Sequence, residues 1–283
     1  AHPLFDTITG GTVKDIDFKR VNMVYPDSQA GDTIATIAAR LKNKGVIENV
    51  NVQGYLEGRD HIAGLVNNIE GQSRVENVSF KGRIKSKGGN SVTAGIAGTN
   101  AMSLVKRAYV EADIWVKSGQ NAGMLVAQNF TDYSGSGWGN WGRLMQSVAK
   151  GKLEDAGSRN SAGIAASIWP YGTINDTVSY ATVVNGKELF SSDNEITDAW
   201  MGQKLQNLFG VQGHSSGTKI GKDAKFRRLT EAEAEQKVKS YRITALEQTS
   251  ANEVTTEKLN VAILRTSTYQ DKPGYKAENE QLY

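Results

Sequence analysis

The amino-acid sequence predicts a mainly β chain: a right-handed parallel β-helix, a solenoid of about six coils, followed by a helical connector. Three observations predict it. Thirty glycines stand against four prolines, with short valine- and isoleucine-rich runs between them, the composition of many short strands. An apolar-x-x-apolar pattern recurs with alternation after it. A second pattern built on an Ala-Gly pair recurs in phase with the first, and two patterns in step are far harder to obtain by chance than one.

The first pattern appears as Val13-Lys-Asp-Ile16, Ile47-Glu-Asn-Val50, Val75-Glu-Asn-Val78, Val105-Lys-Arg-Ala108, Met145-Gln-Ser-Val148 and Ile174-Asn-Asp-Thr177, at steps of 34, 28, 30, 40 and 29 residues. The second reads Ile34-Ala-Thr-Ile37, Ile62-Ala-Gly-Leu65, Thr93-Ala-Gly-Ile96, Asn121-Ala-Gly-Met124 and Ser161-Ala-Gly-Ile164. A typical unit of 28–30 residues holds two or three strand-like runs, such as "VENVSFKG", "RIKSKG" and "SVTAGIAG". None contains the amphipathic helix that a leucine-rich or βαβ repeat needs. Winding each unit into one coil lets every strand pair with its counterpart about 4.8 Å away, so six coils make a rod roughly 25–30 Å long. Inward valine, isoleucine and leucine then stack in columns, with alanine and glycine where the coil turns tightly.

The column Asp15, Asn49, Asn77, Arg107, Ser147, Asp176 is mostly small and polar. Its expected role is a ladder of side chains satisfying turn backbone groups. A carboxylate cleft like those of pectin-degrading β-helices needs acids on adjacent coils. Here the two aspartates lie at opposite ends, which argues against a polysaccharide lyase or hydrolase.

The 40-residue step contains an insertion, Asn129–Arg143, that should leave the coil as a loop. Its Tyr133, Trp138 and Trp141, together with Trp169 and Tyr171 in "IWPYG", are the candidate substrate- or partner-binding residues. Aromatics on such loops are frequent anchors, and they equally serve as caps folded over the rod; both readings stay open. The Asn129-Phe-Thr131 sequon is taken as accidental.

After "KELFSS" the strand pattern stops, which divides the chain into residues 1–190, the repeat domain, and 191–283, a helical linker. Three S/T-x-x-E capping boxes mark helix starts: Ser192…Glu195, Thr230…Glu233 and Ser250…Glu253. The first opens a helix with Ile196, Trp200, Met201, Leu205 and Leu208 along one side and Gly210 as its stop. The second opens "EAEAEQKVKSY", acidic early and basic late, as the helix dipole favours. The third opens "EVTTEKLNVAILRTS".

A net charge of +3 from 33 basic and 30 acidic residues, spread evenly, gives no phosphate-tracking surface, so nucleic acid is not an expected partner. Without cysteine there is neither a disulfide framework nor a thiolate metal site. No apolar run reaches the roughly 18–20 residues that span a bilayer. The chain is expected to be a piece of a longer protein. "GHSSG" at Gly213–Gly217 fits the G-x-S-x-G of a serine hydrolase, but that elbow needs a strand before, a helix after and a later histidine. A helix is expected before it, and no histidine follows His214. The remaining histidines, His2 and His61, are far apart, no H-E-x-x-H occurs, and "KSKGGNS" lacks the ending of a phosphate loop. No catalytic residue and no metal ligand is assigned to this chain.

The units "IAGLVNNIEGQSRVENVSFKGRI", "TAGIAGTNAMSLVKRAYVEADIWV" and "SAGIAASIWPYGTINDTVSYATVV" resemble the degenerate glycine-leucine repeats of the streptococcal IgA1-specific zinc metallopeptidases. The stretch "LQNLFGVQGHSSGTKIGKDAKFRRLTEAEAEQKV" is similar to the segment leading into their catalytic domain, and the resemblance spans essentially all 283 residues. It implies a middle, non-catalytic region of a secreted, cell-wall-associated zinc metalloendopeptidase, a hydrolase and virulence protein. Zinc would sit in the parent's catalytic domain, on H-E-x-x-H and a downstream glutamate absent here. The implied partners are that domain and host immunoglobulin A1, which this region would position or gate. An adhesin-like or carbohydrate-binding solenoid, or a passive spacer, are the rival functions.

Overall fold

The computed structural model describes residues 3–25, 32–88, 91–117, 119–130, 142–157, 160–168, 172–185, 205–211, 226–246 and 253–254. Its strands pair in parallel and stack into three sheets: a short one of five strands, a middle one of six and a long one of ten. The first coil supplies β1 (Phe5–Thr9) to the middle sheet and β2 (Thr12–Val24) to the long sheet. Full turns follow, each crossing the short, middle and long sheets in order. They are β3 (Thr33–Ala35), β4 (Ala38–Lys42), β5 (Val46–Gly58); then β6 (His61–Ala63), β7 (Val66–Ile69), β8 (Arg74–Ser86); then β9 (Ser91–Ala94), β10 (Ala97–Ala101), β11 (Leu104–Val116). The fifth coil has β12 (Gly119–Gly123), β13 (Val126–Phe130) and a long strand broken into β14 (Arg143–Met145) and β15 (Val148–Asp155). The sixth has β16 (Ser161–Ala162), β17 (Ala165–Ser167) and β18 (Thr173–Val184). The β-solenoid expected from the repeat is therefore present, with about five complete turns rather than six, because the first coil has no described strand in the short sheet.

The repeat pattern is the core of the rod. Ile47, Val75, Val105, Leu144 and Ile174 stand in register on successive long strands, and all are fully buried. Ile34 and Ile62, with Leu65 and Ile96, fill the opposite wall. Two positions after each member of the first column the backbone enters the left-handed region: Asp15, Asn49, Asn77, Arg107, Gln146 and Asp176 have φ of 57°, 55°, 53°, 52°, 49° and 51°. Asparagine and aspartate tolerate that conformation best, which is why the column is small and polar. The residue in the fifth coil is Gln146, not Ser147.

That coil slips by one residue against both sequence patterns. Leu144, not Met145, stands opposite Val105, and Ala122, not Asn121, stands opposite Thr93. The apolar template misses this because the inward place at its end holds Ser147, whose hydroxyl accepts the Ala108 N–H at 3.1 Å. Val148 then faces outward.

A second difference lies beyond the repeat. The helix expected to end at Gly210 is contradicted over its last turn: Leu205–Val211 is a strand, β19, paired with β18, and β20 (Phe226–Leu229) pairs with β19 in turn. Leu205-Gln-Asn-Leu208 is the apolar-x-x-apolar pattern once more, with Leu205 opposite Ile174. The expected helix from Thr230 does form, as α1 (Glu231–Tyr241). Its capping box is complete: the Glu233 N–H donates to the Thr230 hydroxyl at 3.3 Å, and the Thr230 N–H donates to the Glu233 carboxylate at 2.8 Å.

From β20 the chain runs back along the outer side of the long sheet as a strap. Ala234 and Tyr241 of α1, with Leu229 and Ile243, pack on Val148, Val178 and Phe209 in a cluster separate from the main core. Lys237 Nζ lies 2.6 Å from Asp176 Oδ1, and the Tyr241 hydroxyl donates to the same oxygen at 3.3 Å. A 3-10 turn, Thr244–Leu246, reaches the third coil. There Asn77 Nδ2 donates to Thr244 Oγ1 at 2.7 Å, and the Ala245 N–H donates to Asn77 Oδ1 at 3.1 Å. Finally, where the third capping box predicts a helix, Glu253–Val254 is instead a strand, β21, which pairs with the outer edge of β2 at Asp17 and Phe18; the rest of that expected helix lies outside the described residues.

Candidate functional site

The candidate binding residues Tyr133, Trp138, Trp141, Trp169 and Tyr171 all lie outside the described residues. What the structure gives is where their segments are rooted. At the corner between the middle and long sheets the first four coils turn in a few residues: β1 ends at Thr9 and β2 begins at Thr12, β4 ends at Lys42 and β5 begins at Val46, β7 ends at Ile69 and β8 begins at Arg74, and β10 ends at Ala101 and β11 begins at Leu104. In the fifth coil the same corner runs from Phe130 to Arg143, and in the sixth from Ser167 to Thr173. The two aromatic segments therefore leave from one corner on neighbouring coils.

The roots are closed by backbone hydrogen bonds. The Gly142 N–H donates to the Phe130 carbonyl at 3.1 Å, so the insertion leaves and re-enters the coil at one point, and the Thr173 N–H donates to the Gly142 carbonyl at 2.8 Å. Beneath them runs a buried asparagine ladder that the apolar periodicity does not reveal. Asn100 Nδ2 donates to Asn129 Oδ1 at 2.8 Å, and Asn129 Nδ2 donates to the Thr173 carbonyl at 2.9 Å. A Cβ at Gly142 would stand 2.4 Å from the Asn100 carbonyl oxygen, and one at Gly172 1.9 Å from that of Asn129, so only glycine closes either root. The signal in the sequence is Thr99-Asn100 and Gln128-Asn129 at equivalent places, but paired buried amides leave no apolar trace. Asn129 is fully buried with its amide engaged, which removes it as a glycosylation acceptor.

The polar column is more than a set of turn supports. Asn49 Nδ2 donates to Asp15 Oδ1 at 2.9 Å and Asn77 Nδ2 to Asn49 Oδ1 at 2.6 Å, so the ladder binds coil to coil before it binds the strap. Arg107 instead donates to Glu76 at 3.0 Å. Further out, charges of successive coils interleave. Glu111 lies 3.1 Å from Lys150 and 3.9 Å from Lys81, and accepts from the Tyr109 hydroxyl at 3.1 Å. Burial alone would raise the Glu111 carboxyl, but the Lys150 hydrogen bond and charge, aided by Tyr109 and Lys81, hold it below the usual carboxylate value. Burial, then Glu111, pushes the Tyr109 phenol up. These are rungs between coils, and the lysines neutralise the carboxylate instead of leaving it poised as a base.

His61 sits in β6, its carbonyl accepting from Asn67 Nδ2 at 2.8 Å; His2 and His214 lie outside the described residues. Among the described residues no group of three or more His, Cys, Asp or Glu side chains comes together to hold a metal. The donor set for zinc is not assembled by these residues, and no step is assigned to it. The Gly213–Gly217 segment is also outside the described residues, between β19 and β20. A strand, not a helix, precedes it, so that objection to a nucleophile elbow falls. The others stand: the next described element is a strand, and no histidine follows His214. Among the described residues no helix is long and apolar enough to cross a membrane.

Parallel coils, a buried asparagine ladder and one expanded corner define a β-solenoid module. Comparison with known proteins gives it a family. Residues 1–54 match the M26 IgA1-specific metallo-endopeptidase N-terminal region. The whole chain aligns with the zinc metalloprotease ZmpB of Streptococcus pneumoniae at 36% identity, covering 100% of the chain and 14% of that protein. The zinc metalloprotease ZmpC of the same species matches at 28% over 83% of the chain and 14% of that protein. An immunoglobulin A1 protease of Streptococcus sanguinis is 41% identical over 29% of the chain and 4% of its own length. The chain is a segment of a protein of this IgA1 protease and zinc metalloprotease family.

Proposed function

We propose that this solenoid is the non-catalytic substrate-engagement, gating and interdomain module of a secreted, cell-wall-associated zinc metalloendopeptidase that cleaves host IgA1. In this reading residues 1–190 engage substrate and 191–283 lead to the catalytic domain, which carries the zinc. Tyr133, Trp138, Trp141, Trp169 and Tyr171 are the contact residues. The observation that supports the reading is the long insertion between Phe130 and Arg143, which leaves a corner that the other coils close in a few residues. A fold needing only length has no use for an aromatic insertion rooted on a buried ladder.

The test is IgA1 turnover by the full-length parent lacking residues 131–141. The expected result is a raised KM for IgA1 with cleavage of a short peptide substrate unchanged. Unaltered IgA1 turnover would leave the module a spacer. Retained IgA1 turnover together with glycan binding lost in Trp138→Ala and Trp141→Ala would make it a carbohydrate-binding solenoid. Purified alone, the chain should cleave no IgA1.

A further inference from the structure

We infer that the outer face of the long sheet, beyond the reach of the strap, binds an acidic glycan, a chain of sugar rings bearing carboxylates, at Trp115 and the cations beside it. This goes beyond the substrate-engagement reading and does not depend on it. Ile114 and Val116 are buried in the core, so Trp115 between them stands on the outer side of β11, half-buried among its neighbours. α1 packs on the column of Tyr109, six residues back along the strand and roughly 20 Å away, and does not shield the ring. In register beside Trp115 stands Lys85 of the third coil, its Nζ 5.8 Å from the ring centroid.

Two positions further along, three successive coils place a cation at the same point: Arg59, Lys87 and Lys117. The Lys87 N–H donates to the Gly58 carbonyl at 2.8 Å and the Lys117 N–H to that of Ser86 at 2.9 Å, which continues the strand register to them. The Arg59 and Lys87 side chains are 50% and 43% exposed, and Lys117 is exposed. Like charges stacked in register cost stability, and the coil does not require them, since the fifth has Ala156 in that place. The carboxylates nearest these cations lie lower. Glu57, 8% exposed, takes the Lys87 ammonium and the Tyr55 hydroxyl, and Asp60, 4% exposed, lies 3.9 Å from Arg59. Solvent therefore meets positive charge beside an aromatic ring. The ground is bounded by Glu154 of the fifth coil and by Asp113, which lies 3.9 Å from Arg83. Cations recur at about 4.8 Å, close to the length of one sugar ring in a linear chain, so carboxylates on successive rings can each meet one. The face of the indole takes the C–H side of such a ring. A nucleic acid would call for a longer cationic track than three coils, and an acidic peptide has no use for the indole.

The test is titration of the full-length parent with a short oligogalacturonate, with an uncharged chitin oligosaccharide of equal length and with polyglutamate. The oligogalacturonate should bind, and the other two should bind at least about tenfold more weakly. Trp115→Ala and Lys117→Glu should each weaken oligogalacturonate binding by about tenfold. Lys117 is exposed, so its variant stays readable should Trp115→Ala fail to fold. Absence of oligogalacturonate binding would overturn the inference, as would binding that Lys117→Glu leaves unchanged. Equal binding of polyglutamate would reduce the face to charge alone, and tighter binding of single-stranded DNA would assign it to nucleic acid; either overturns it. IgA1 cleavage is not read here. Trp138→Ala should leave oligogalacturonate binding intact, and a loss there would move the ligand to the insertion, so this outcome and those of the substrate-engagement test are separable.

Discussion

The strap crosses two different surfaces on its way down the long sheet. One column runs beneath it, through Asp17, Asn51, Ser79, Tyr109, Val148, Val178 and Phe209 in register. Over the first three coils that column is buried and polar; over the later ones it is aromatic and aliphatic. The strap changes with it. Amphipathic α1 covers the apolar half, whereas beside the polar half the 3-10 turn is held by hydrogen bonds to Asn77 and β21 by pairing with the edge of β2. One segment is held in two ways, by burial of area at one end and by directional bonds at the other, and each can be broken separately.

The largest effect is expected where burial does the holding. Phe209→Ala should destabilise the protein by about 3 kcal/mol in urea melts, the low end for a buried phenylalanine since it packs on an outer face. Exchange protection of α1 should fall while that of the 3-10 turn survives. Asn77→Ala tests the polar half. It removes the bonds to Asn49, Thr244 and Ala245 and leaves buried partners unsatisfied, at about 2 kcal/mol. Here the Ala245 amide should lose protection and α1 keep it; equal loss in both would mean the halves are not independent. Thr230→Ala removes only the helix cap and should cost about 1 kcal/mol, seen as fraying at Glu231–Glu233.

The smallest effect is expected at the junction of the two surfaces, where Tyr109 begins the apolar half and hydrogen-bonds Glu111. Glu111→Gln should cost a few tenths of a kcal/mol at neutral pH, because the pair is half-exposed. The folded-state value of Glu111 lies below its ordinary 4.5. Its contribution is therefore present above that pH and is lost as pH falls through the folded value. The difference between wild type and Glu111→Gln should vanish on acidification across that window.

The coils are legible in the sequence because a solenoid repeats its inward residues at a nearly fixed step. Val75, Val105 and Ile174 announce their column by spacing alone. Legibility fails where an inward place turns polar, as at Ser147, which shifts the fifth coil by one residue. It fails again at Leu205 and Leu208, whose spacing suits a helix face as well as a rung; the Gln-Asn between them, matching Glu-Asn at 48–49 and 76–77, is the better guide. The capping box at Thr230 is legible because it is local. The docking of the strap is not, since its bonds join residues 167 and 168 apart in sequence. At the candidate site the expansion of the corner is visible as an irregular step, whereas the ladder beneath it is not.

Repeat proteins with contacts only between neighbouring units tend to fray from their ends, each coil peeling at a cost set by one interface. The strap removes that freedom. It is bonded at the sixth coil through Asp176, at the third through Asn77 and at the first through β2, so no end coil can open without disturbing contacts two or more coils away. The unfolding of this rod should therefore resemble that of a globular domain, one cooperative transition in place of a graded unzipping.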